Sequence, residues 1–164
     1  MDELKSNFAQ ARGLTINLPE LPDGFRYLEH DDTTKDLKSF VSEMDRYTLE
    51  DYYQWSLEDN SLVIIREVEG KISAVAHVTI HEDYVMLEML VRNKLHSYSG
   101  SAGDLVILVE KLIAPHYGKK QVRLEAMTHI VSYYIGRRYE IHGKPYPDAD
   151  WGDLTPMKKR LDSS

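Results

Sequence analysis

The chain has 164 residues, of which 42% are hydrophobic and 29% are charged, and this balance suits one globular domain with its own core. Its formal net charge of −7 argues against a general nucleic-acid binder, because such proteins contact phosphates through Lys and Arg. It has no cysteine, which excludes disulfides, zinc–thiolate sites and cysteine nucleophiles.

The sequence contains no stretch that is predicted to be a membrane span or a signal peptide. No apolar run has the length that crossing a bilayer requires, so we expect no membrane partner. Residues 1–11 carry Asp2, Glu3 and Lys5 and lack the apolar stretch of a signal peptide. We therefore expect a cytoplasmic protein with no nucleic-acid partner and no metal.

The first part of the chain divides into an extension and the start of a domain. Residues 1–22 are polar with scattered apolar positions and are predicted to form an N-terminal extension, and residues 23–164 a single domain. Residues 25–29 read as a short strand, and residues 32–34 offer helix-capping side chains. The helix that follows has one apolar face, formed by Leu37, Phe40, Val41 and Met44.

A second helix and a strand meander follow. Thr48 and Asp51 have capping-box spacing at the start of a short helix. Residues 62–65 form an apolar run, and Glu69 with Gly70 predicts a tight hairpin turn into a long strand. The next strand is predicted to place two sets of side chains on opposite faces: Val85, Leu87, Met89 and Val91 on one, and Met86, Glu88 and Leu90 on the other.

The second half is predicted to begin with an amphipathic helix. Its apolar residues recur at helical spacing, and Tyr117 with Gly118 ends it. A strand (residues 122–126), a helix (residues 130–137), a strand starting at Tyr139 and a last strand near residues 155–161 follow, with a Gly/Pro-rich loop between the last two. The order β-α-α-β-β-β-α-β-α-β-β indicates a mixed α/β (α+β) sheet.

The loop before the amphipathic helix points to a ligand. Residues 97–103 read Ser-Tyr-Ser-Gly-Ser-Ala-Gly, and small residues with free backbone N–H groups at a helix N-terminus form a site for a phosphate. The alternative is a plain flexible loop that ends in a helix start, with Asp104 in the first turn.

Several motifs in this order resemble the GNAT superfamily of acetyl-coenzyme A-dependent N-acetyltransferases. The similarity covers roughly residues 25–161. Residues 69–77 are similar to the family's hairpin into its third strand, and residues 87–91 to its fourth strand. Residues 97–102 stand where the family has [Arg/Gln]-x-x-Gly-x-[Gly/Ala], and residues 133–139 resemble its aromatic-Tyr-x-x-x-Gly-Phe signature. Three positions differ: Ser97 replaces the basic or amide residue, Arg138 the usual Gly, and His129 a common Asn.

The resemblance implies a GNAT-like fold in which the fourth and fifth strands splay and acetyl-coenzyme A lies between them. Its pantetheine arm would pair with the strand edge at Met89, Leu90 and Val91. Its diphosphate would face the loop amides, and His129 could contact the cofactor or the substrate. The predicted cofactor-binding residues of the loop are Ser97, Ser99, Gly100, Ser101, Ala102 and Gly103.

Three further residues are candidates for the chemistry of acyl transfer. Glu88, in an otherwise apolar strand, would bind the amine and take its proton, with Glu125 or a water chain as competitors. The alternative for Glu88 is a solvated sheet face or an ion pair with Arg123. Tyr134 would protonate the leaving thiolate, although Tyr133 and Tyr134 also have the spacing of core residues.

The expected activity is N-acetyl transfer from acetyl-coenzyme A to a primary amine, by direct attack. The acidic balance favours a small cationic acceptor, and Tyr52, Tyr53 and Glu125 are candidate substrate residues; for both tyrosines the alternative is helix packing. Two rival hypotheses remain: a binding module that keeps the fold and has lost the chemistry, and an interaction protein with an unrelated sheet. A homodimer is possible in this family, and no residue pattern demands one.

Overall fold

A mixed sheet with helices on both faces forms the body of the protein. The computed structural model describes residues 17–35, 48–93 and 98–161. The apolar helix face predicted at residues 37–44 and the loop position Ser97 lie outside the described residues. The strands are β1 (Phe25–Tyr27), β2 (Ser61–Val68), β3 (Lys71–Ile80), β4 (Val85–Arg92), β5 (Gln121–Met127), β6 (Glu140–Ile141), β7 (Tyr146–Asp148) and β8 (Gly152–Arg160).

The helices lie between these strands as the sequence predicts. They are α1 (Asp32–Lys35), α2 (Leu49–Ser56), α3 (Ser101–Leu108), α4 (Ala114–His116) and α5 (Val131–Gly136). A π-helical stretch (Val109–Ile113) joins α3 to α4, and a single 3-10 turn (Thr128–Ile130) precedes α5. Within the described residues, no helix is both long enough and apolar enough to cross a bilayer.

The sheet order is β1-β2-β3-β4-β5-β8-β6, and β7 pairs with β8 beside this path. Only the β4–β5 pair is parallel among the described strand pairs, because α3 carries the chain across one face between them. The predicted mixed α/β fold is therefore confirmed. One strand was not predicted: β7 lies inside the segment that reads as a Gly/Pro-rich loop, and β8 begins at Gly152 rather than near Thr155.

Local sequence explains the two best-defined turns. Thr48 accepts the amide of Asp51 at 3.2 Å, and the Asp51 carboxylate accepts the amide of Thr48 at 2.8 Å, so the capping box is confirmed. Glu69 and Gly70 have φ angles of 52° and 75°, which is the left-handed backbone that a two-residue hairpin turn requires.

The core divides into two clusters, one on each face of the sheet. The first lies on the face covered by α3 and extends to Tyr134 on α5. The second lies on the opposite face under α2 and contains Tyr52, Val75 and Val91. Both faces of the central strands are thus buried, which explains why β2 and β3 read as nearly continuous apolar runs.

Candidate active site

The sheet opens between β4 and β5. These parallel strands pair over Val85–Val122, Met86–Arg123 and Leu87–Leu124, and the pairing stops there. Beyond Leu87, the side of β4 that faces β5 has no neighbouring strand among the described residues. A cleft of about 240 Å³ opens at this point. The splay that the resemblance implies is present.

A β-bulge at Glu88 adjoins the opening and corrects one prediction. His77 pairs with Met89 and Val78 pairs with Leu87, so Glu88 is an extra residue in β4. Val85 and Leu87 lie in the first core cluster, whereas Met89 and Val91 pack with the second. The prediction that these four side chains share one face was wrong, because a single extra residue reverses the alternation.

Two carboxylates stand side by side where the strands separate. Glu88 and Glu125 directly follow the last pair, Leu87–Leu124, whose side chains point to the α3 face. Both glutamates therefore project from the opposite face. Glu88 is about one-third exposed, and its carboxylate accepts a hydrogen bond of 2.6 Å from the Thr79 hydroxyl. The predicted alternative of an ion pair between Glu88 and Arg123 is not observed, because Arg123 stacks over the Tyr84 ring.

Glu125 is held in an acidic setting. Glu125 is an exposed residue, but desolvation at the cleft wall raises its pKa above the usual range, and the charges of Glu88 and Asp148 raise it further. No described residue donates a hydrogen bond to its carboxylate. The raised pKa makes Glu125 a candidate to accept a proton.

Tyr134 faces these carboxylates through the opening. Its side chain is 6% exposed and belongs to the first core cluster, on the α3 side of the sheet. Its ring lines the cleft, and no described residue accepts or donates a hydrogen bond at its hydroxyl. Burial raises the pKa of Tyr134 to about 12, so the hydroxyl stays protonated at neutral pH.

The β7–β8 hairpin forms the far wall of the cleft. It contributes Tyr146, Asp148 and Trp151, none of which the sequence identified as a site residue. The Asp148 Oδ1 atom accepts the amides of Asp150 at 2.8 Å and Trp151 at 3.1 Å, which fixes the turn. The complete lining of the cleft comprises Met86, Leu87, Glu88, Met89, Leu90, Leu124, Glu125, Met127, Ile130, Tyr134, Tyr146, Asp148, Trp151 and Leu154.

The loop before α3 is anchored by a second bulge. Arg66 pairs with Ala74 and Glu67 pairs with Ile72, so Ser73 is the extra residue of β3. The Ser73 hydroxyl accepts the amide of Tyr98 at 3.1 Å and shares a hydrogen bond of 2.6 Å with the buried Ser101 hydroxyl. This bulge therefore fixes both the entry to the loop and the first turn of α3.

The first turn of α3 presents uncapped amides. Gly100 precedes it with a φ of 88° and no side-chain cap. The amide of Ser101 donates to the Tyr98 carbonyl at 3.1 Å, whereas no described residue accepts from the amides of Ala102 and Gly103. The hydroxyl of Ser101, one of the predicted cofactor-binding residues, is engaged with Ser73. Ser99 is exposed at the loop surface.

Arg137, which is not among the predicted site residues, brings a positive charge to this turn. A Cβ placed on Gly103 would overlap the Arg137 guanidinium and lie 3.3 Å from the Tyr133 hydroxyl. Arg137 also lies over the Tyr133 ring at 4.9 Å, and no described carboxylate pairs with it. A cation at the positive end of a helix is favourable when an anion lies between them. Asp104 is not that anion, because its carboxylate pairs with the Arg66 guanidinium at 3.1 Å.

The remaining candidates lie elsewhere. Tyr52 is fully buried in the second core cluster, and Tyr53 contacts the His30 ring at its edge, so both pack as helix residues and neither lines the cleft. His129 is exposed on the turn before α5 and outside the cleft lining. Met89 and Leu90 line the cleft, whereas Val91 is buried beneath α2.

Comparison with known proteins identifies the fold. No protein-family model matches the sequence, and no curated protein matches it. Solved structures match well: the chain superposes on the ribosomal-protein-S18-alanine N-acetyltransferase of Escherichia coli with a TM-score of 0.68 and 14% identity, over 85% of this chain and 94% of that chain.

Two other solved structures contain coenzyme A or acetyl-coenzyme A. PaiA N-acetyltransferase from Thermoplasma acidophilum, in complex with coenzyme A, gives a TM-score of 0.65 at 13% identity, covering 84% of this chain and 98% of that one. A GNAT family acetyltransferase from Elizabethkingia anophelis with acetyl-CoA bound gives a TM-score of 0.59 at 12% identity, covering 85% of this chain and 100% of that one. The chain has the GNAT fold.

Proposed function

We propose that this protein is an N-acetyltransferase that moves the acetyl group of acetyl-coenzyme A to a primary amine by direct attack. The observation that carries the proposal is the through-sheet cleft, with a protonated, unpartnered Tyr134 on one side and the Glu88–Glu125 pair on the other. The GNAT fold supports it, because structural neighbours with that fold are acetyltransferases.

The chain offers a fitting place for the cofactor. The uncapped amides of Ala102 and Gly103, with the Arg137 guanidinium beside them, would hold the diphosphate. Exposed Ser99 and the N-cap Gly100 would border it. The unpaired edge of β4 at Met89 and Leu90 would accept the pantetheine arm as a strand-like partner. When bound, acetyl-coenzyme A supplies an activated thioester.

The acceptor amine would enter from the opposite face. We assign Glu88 to orient the ammonium group, since Thr79 fixes its carboxylate, and Glu125 to accept the proton that leaves the nitrogen, since its pKa is raised. The nitrogen forms a bond to the acetyl carbon, and the carbon–sulfur bond breaks. The Tyr134 hydroxyl donates a hydrogen bond to the departing sulfur, and its proton follows. The carboxylates favour a small cationic acceptor.

A thiol-release assay tests this function cleanly. Because the chain has no cysteine, a thiol-reactive dye reports only free coenzyme A. We expect release that depends on both acetyl-coenzyme A and an amine, with mass spectrometry showing the acetylated amine. The Tyr134→Phe variant keeps the ring in its buried site and removes the donor, and we expect its kcat to fall about 100-fold or more.

Two matched controls separate chemistry from packing and binding. Tyr133→Phe removes the neighbouring, more exposed hydroxyl, and we expect kcat to change less than about threefold, because general-acid loss is far larger. Coenzyme A binding, measured by calorimetry, should be the same for wild type and Tyr134→Phe. Binding without turnover on any amine would instead support the rival hypothesis of a binding module with this fold. No binding would reject the function.

A further inference from the structure

We propose that the acceptor is a dication: one nitrogen reacts between Glu88 and Glu125, and a second positive charge binds at Asp148. This inference rests on the proposed function and adds to it the substrate class. A dication is defined here as an alkyl amine with a second ammonium group at its far end.

Two features besides the acidic residues indicate that the cleft binds a ligand: the Tyr134 hydroxyl and the unpaired edge of β4. Tyr134 is more than nine-tenths buried, lines the cleft and has no hydrogen-bond partner among the described residues. The ring is thus held among core residues at the cleft wall, and a ligand or water in the cleft can supply the hydroxyl with a hydrogen bond. The unpaired edge of β4 opens into the same space.

The charge of the cleft lining exceeds what one ammonium group balances. Glu88, Glu125 and Asp148 line it, and the lining contains no Lys or Arg. The charges of Glu88 and Asp148 both act on Glu125, so the three carboxylates share one electrostatic environment. A monoamine would leave two negative charges unbalanced, whereas a dication leaves one. The repulsion among the carboxylates thus selects for the doubly charged ligand.

The geometry divides the cleft into two ends. Glu88 and Glu125 lie at the separation of β4 and β5, where the reacting nitrogen must meet the thioester. Asp148 lies on the β7–β8 hairpin with Tyr146 and Trp151, whose aromatic rings suit a cation and its alkyl chain. The Asp148 Oδ1 atom accepts the two turn amides, and no described residue donates a hydrogen bond to Oδ2. Oδ2 is therefore available for an ammonium group.

A divalent metal ion is the competing cation. Among the described residues, no group of three or more His, Asp or Glu side chains is arranged to hold a metal ion. The three carboxylates are instead distributed along a cleft bordered by apolar and aromatic side chains. This arrangement fits an extended organic cation.

The test compares putrescine with n-butylamine, which have the same carbon chain and differ in the second ammonium group. We expect kcat/KM to be at least about tenfold higher for putrescine, because a hydrogen-bonded charge pair contributes that much. The product should be monoacetylputrescine, which itself should be a poor substrate because it carries only one charge. Equal kcat/KM values for the two amines would overturn the proposal.

Asp148→Asn locates the second charge. Asn keeps an Oδ1 acceptor for the turn amides, so the hairpin should remain intact. We expect KM for putrescine to rise about tenfold relative to KM for n-butylamine, because any effect through the pKa of Glu125 acts on both amines alike. Asp153→Asn, an exposed position on the same hairpin outside the cleft, is the control and should leave the preference intact. An unchanged putrescine preference in Asp148→Asn would contradict the proposal.

Failure of the proposed function can be distinguished from failure of the dication proposal by measuring amine acetylation and putrescine binding separately. If neither amine is acetylated, the function is rejected, and calorimetric binding of putrescine then decides the present proposal. Binding that weakens about tenfold in Asp148→Asn supports a dication site. No putrescine binding, or the same Kd in both proteins, rejects it.

Discussion

His77 should make the protein less stable as the pH falls from neutral toward about 4. Its side chain is 7% exposed, stacks on Trp55 with ring centroids 5.2 Å apart, and hydrogen-bonds the Ser61 hydroxyl at 2.7 Å. Burial lowers the pKa of His77 from 6.5 to about 4. The folded state therefore holds the neutral ring at pH values where the unfolded chain binds a proton.

The sign and the size follow from proton linkage. A folded-state pKa below the unfolded one means that the unfolded state binds more protons between these values, so stability is complete above about pH 6.5 and declines below it. A difference of about 2.5 pKa units corresponds to about 3 kcal/mol in total, of which about 2 kcal/mol is lost between about pH 7 and pH 5.

Urea denaturation of wild type and His77→Gln at these two pH values measures the effect. Other groups titrate in both proteins, so their contributions cancel in the difference. We expect wild type to lose about 2 kcal/mol more than the variant on going to the lower pH. Parallel losses in the two proteins would refute the reasoning. If the variant does not fold, an NMR titration of wild type decides: the His77 ring resonance should not titrate above about pH 5.

Three further predictions concern the turn of α3 and the core. Gly103→Ala should displace Arg137 and weaken coenzyme A binding about tenfold in calorimetry, because the added Cβ overlaps the guanidinium, and an unchanged Kd would contradict this reasoning. Arg137→Gln should weaken coenzyme A binding about tenfold and reduce its salt dependence, because one phosphate-facing charge is lost; unchanged salt dependence would remove Arg137 from the site. Glu110→Gln should lower the free energy of unfolding by about 1–3 kcal/mol in urea melts, since Lys159 donates to this carboxylate at 2.7 Å in a mostly buried pair.

Local signals in the sequence determine much of the fold. The capping box at Thr48, the hairpin turn at Glu69 and the helix end at Gly118 depend on neighbouring residues, and each lies where it was predicted. Arg138 has a φ of 72°, which explains why the family pattern has Gly at this position. These features need no knowledge of the tertiary structure.

The walls of the cleft could not be predicted from local sequence signals. The segment Tyr146-Pro147-Asp148 contains a proline and lies among glycines, so it reads as loop; it becomes a strand only because β8 extends far enough to pair with it. The sequence placed Arg137 on a helix face, but its position against Gly103 depends on how α5 packs over α3. Contacts between distant segments leave no periodic pattern in either segment.

Two single-residue bulges, at Ser73 in β3 and at Glu88 in β4, shape the candidate site. The bulge at Ser73 turns Ile72 to the α2 face and Ala74 to the α3 face, and the Ser73 hydroxyl anchors the loop whose amides would hold a diphosphate. The bulge at Glu88 reverses the faces of β4 at the residue where β4 and β5 part.

Each bulge thus converts a regular strand into part of the proposed binding surface. A regular β4 would keep Met89 on the face of Leu87 and leave no extra residue at the mouth of the cleft, where Glu88 now stands beside Glu125. The position of the carboxylates therefore depends on strand register as much as on their chemistry. This is why alternation along β4 assigned the faces of Met89 and Val91 wrongly.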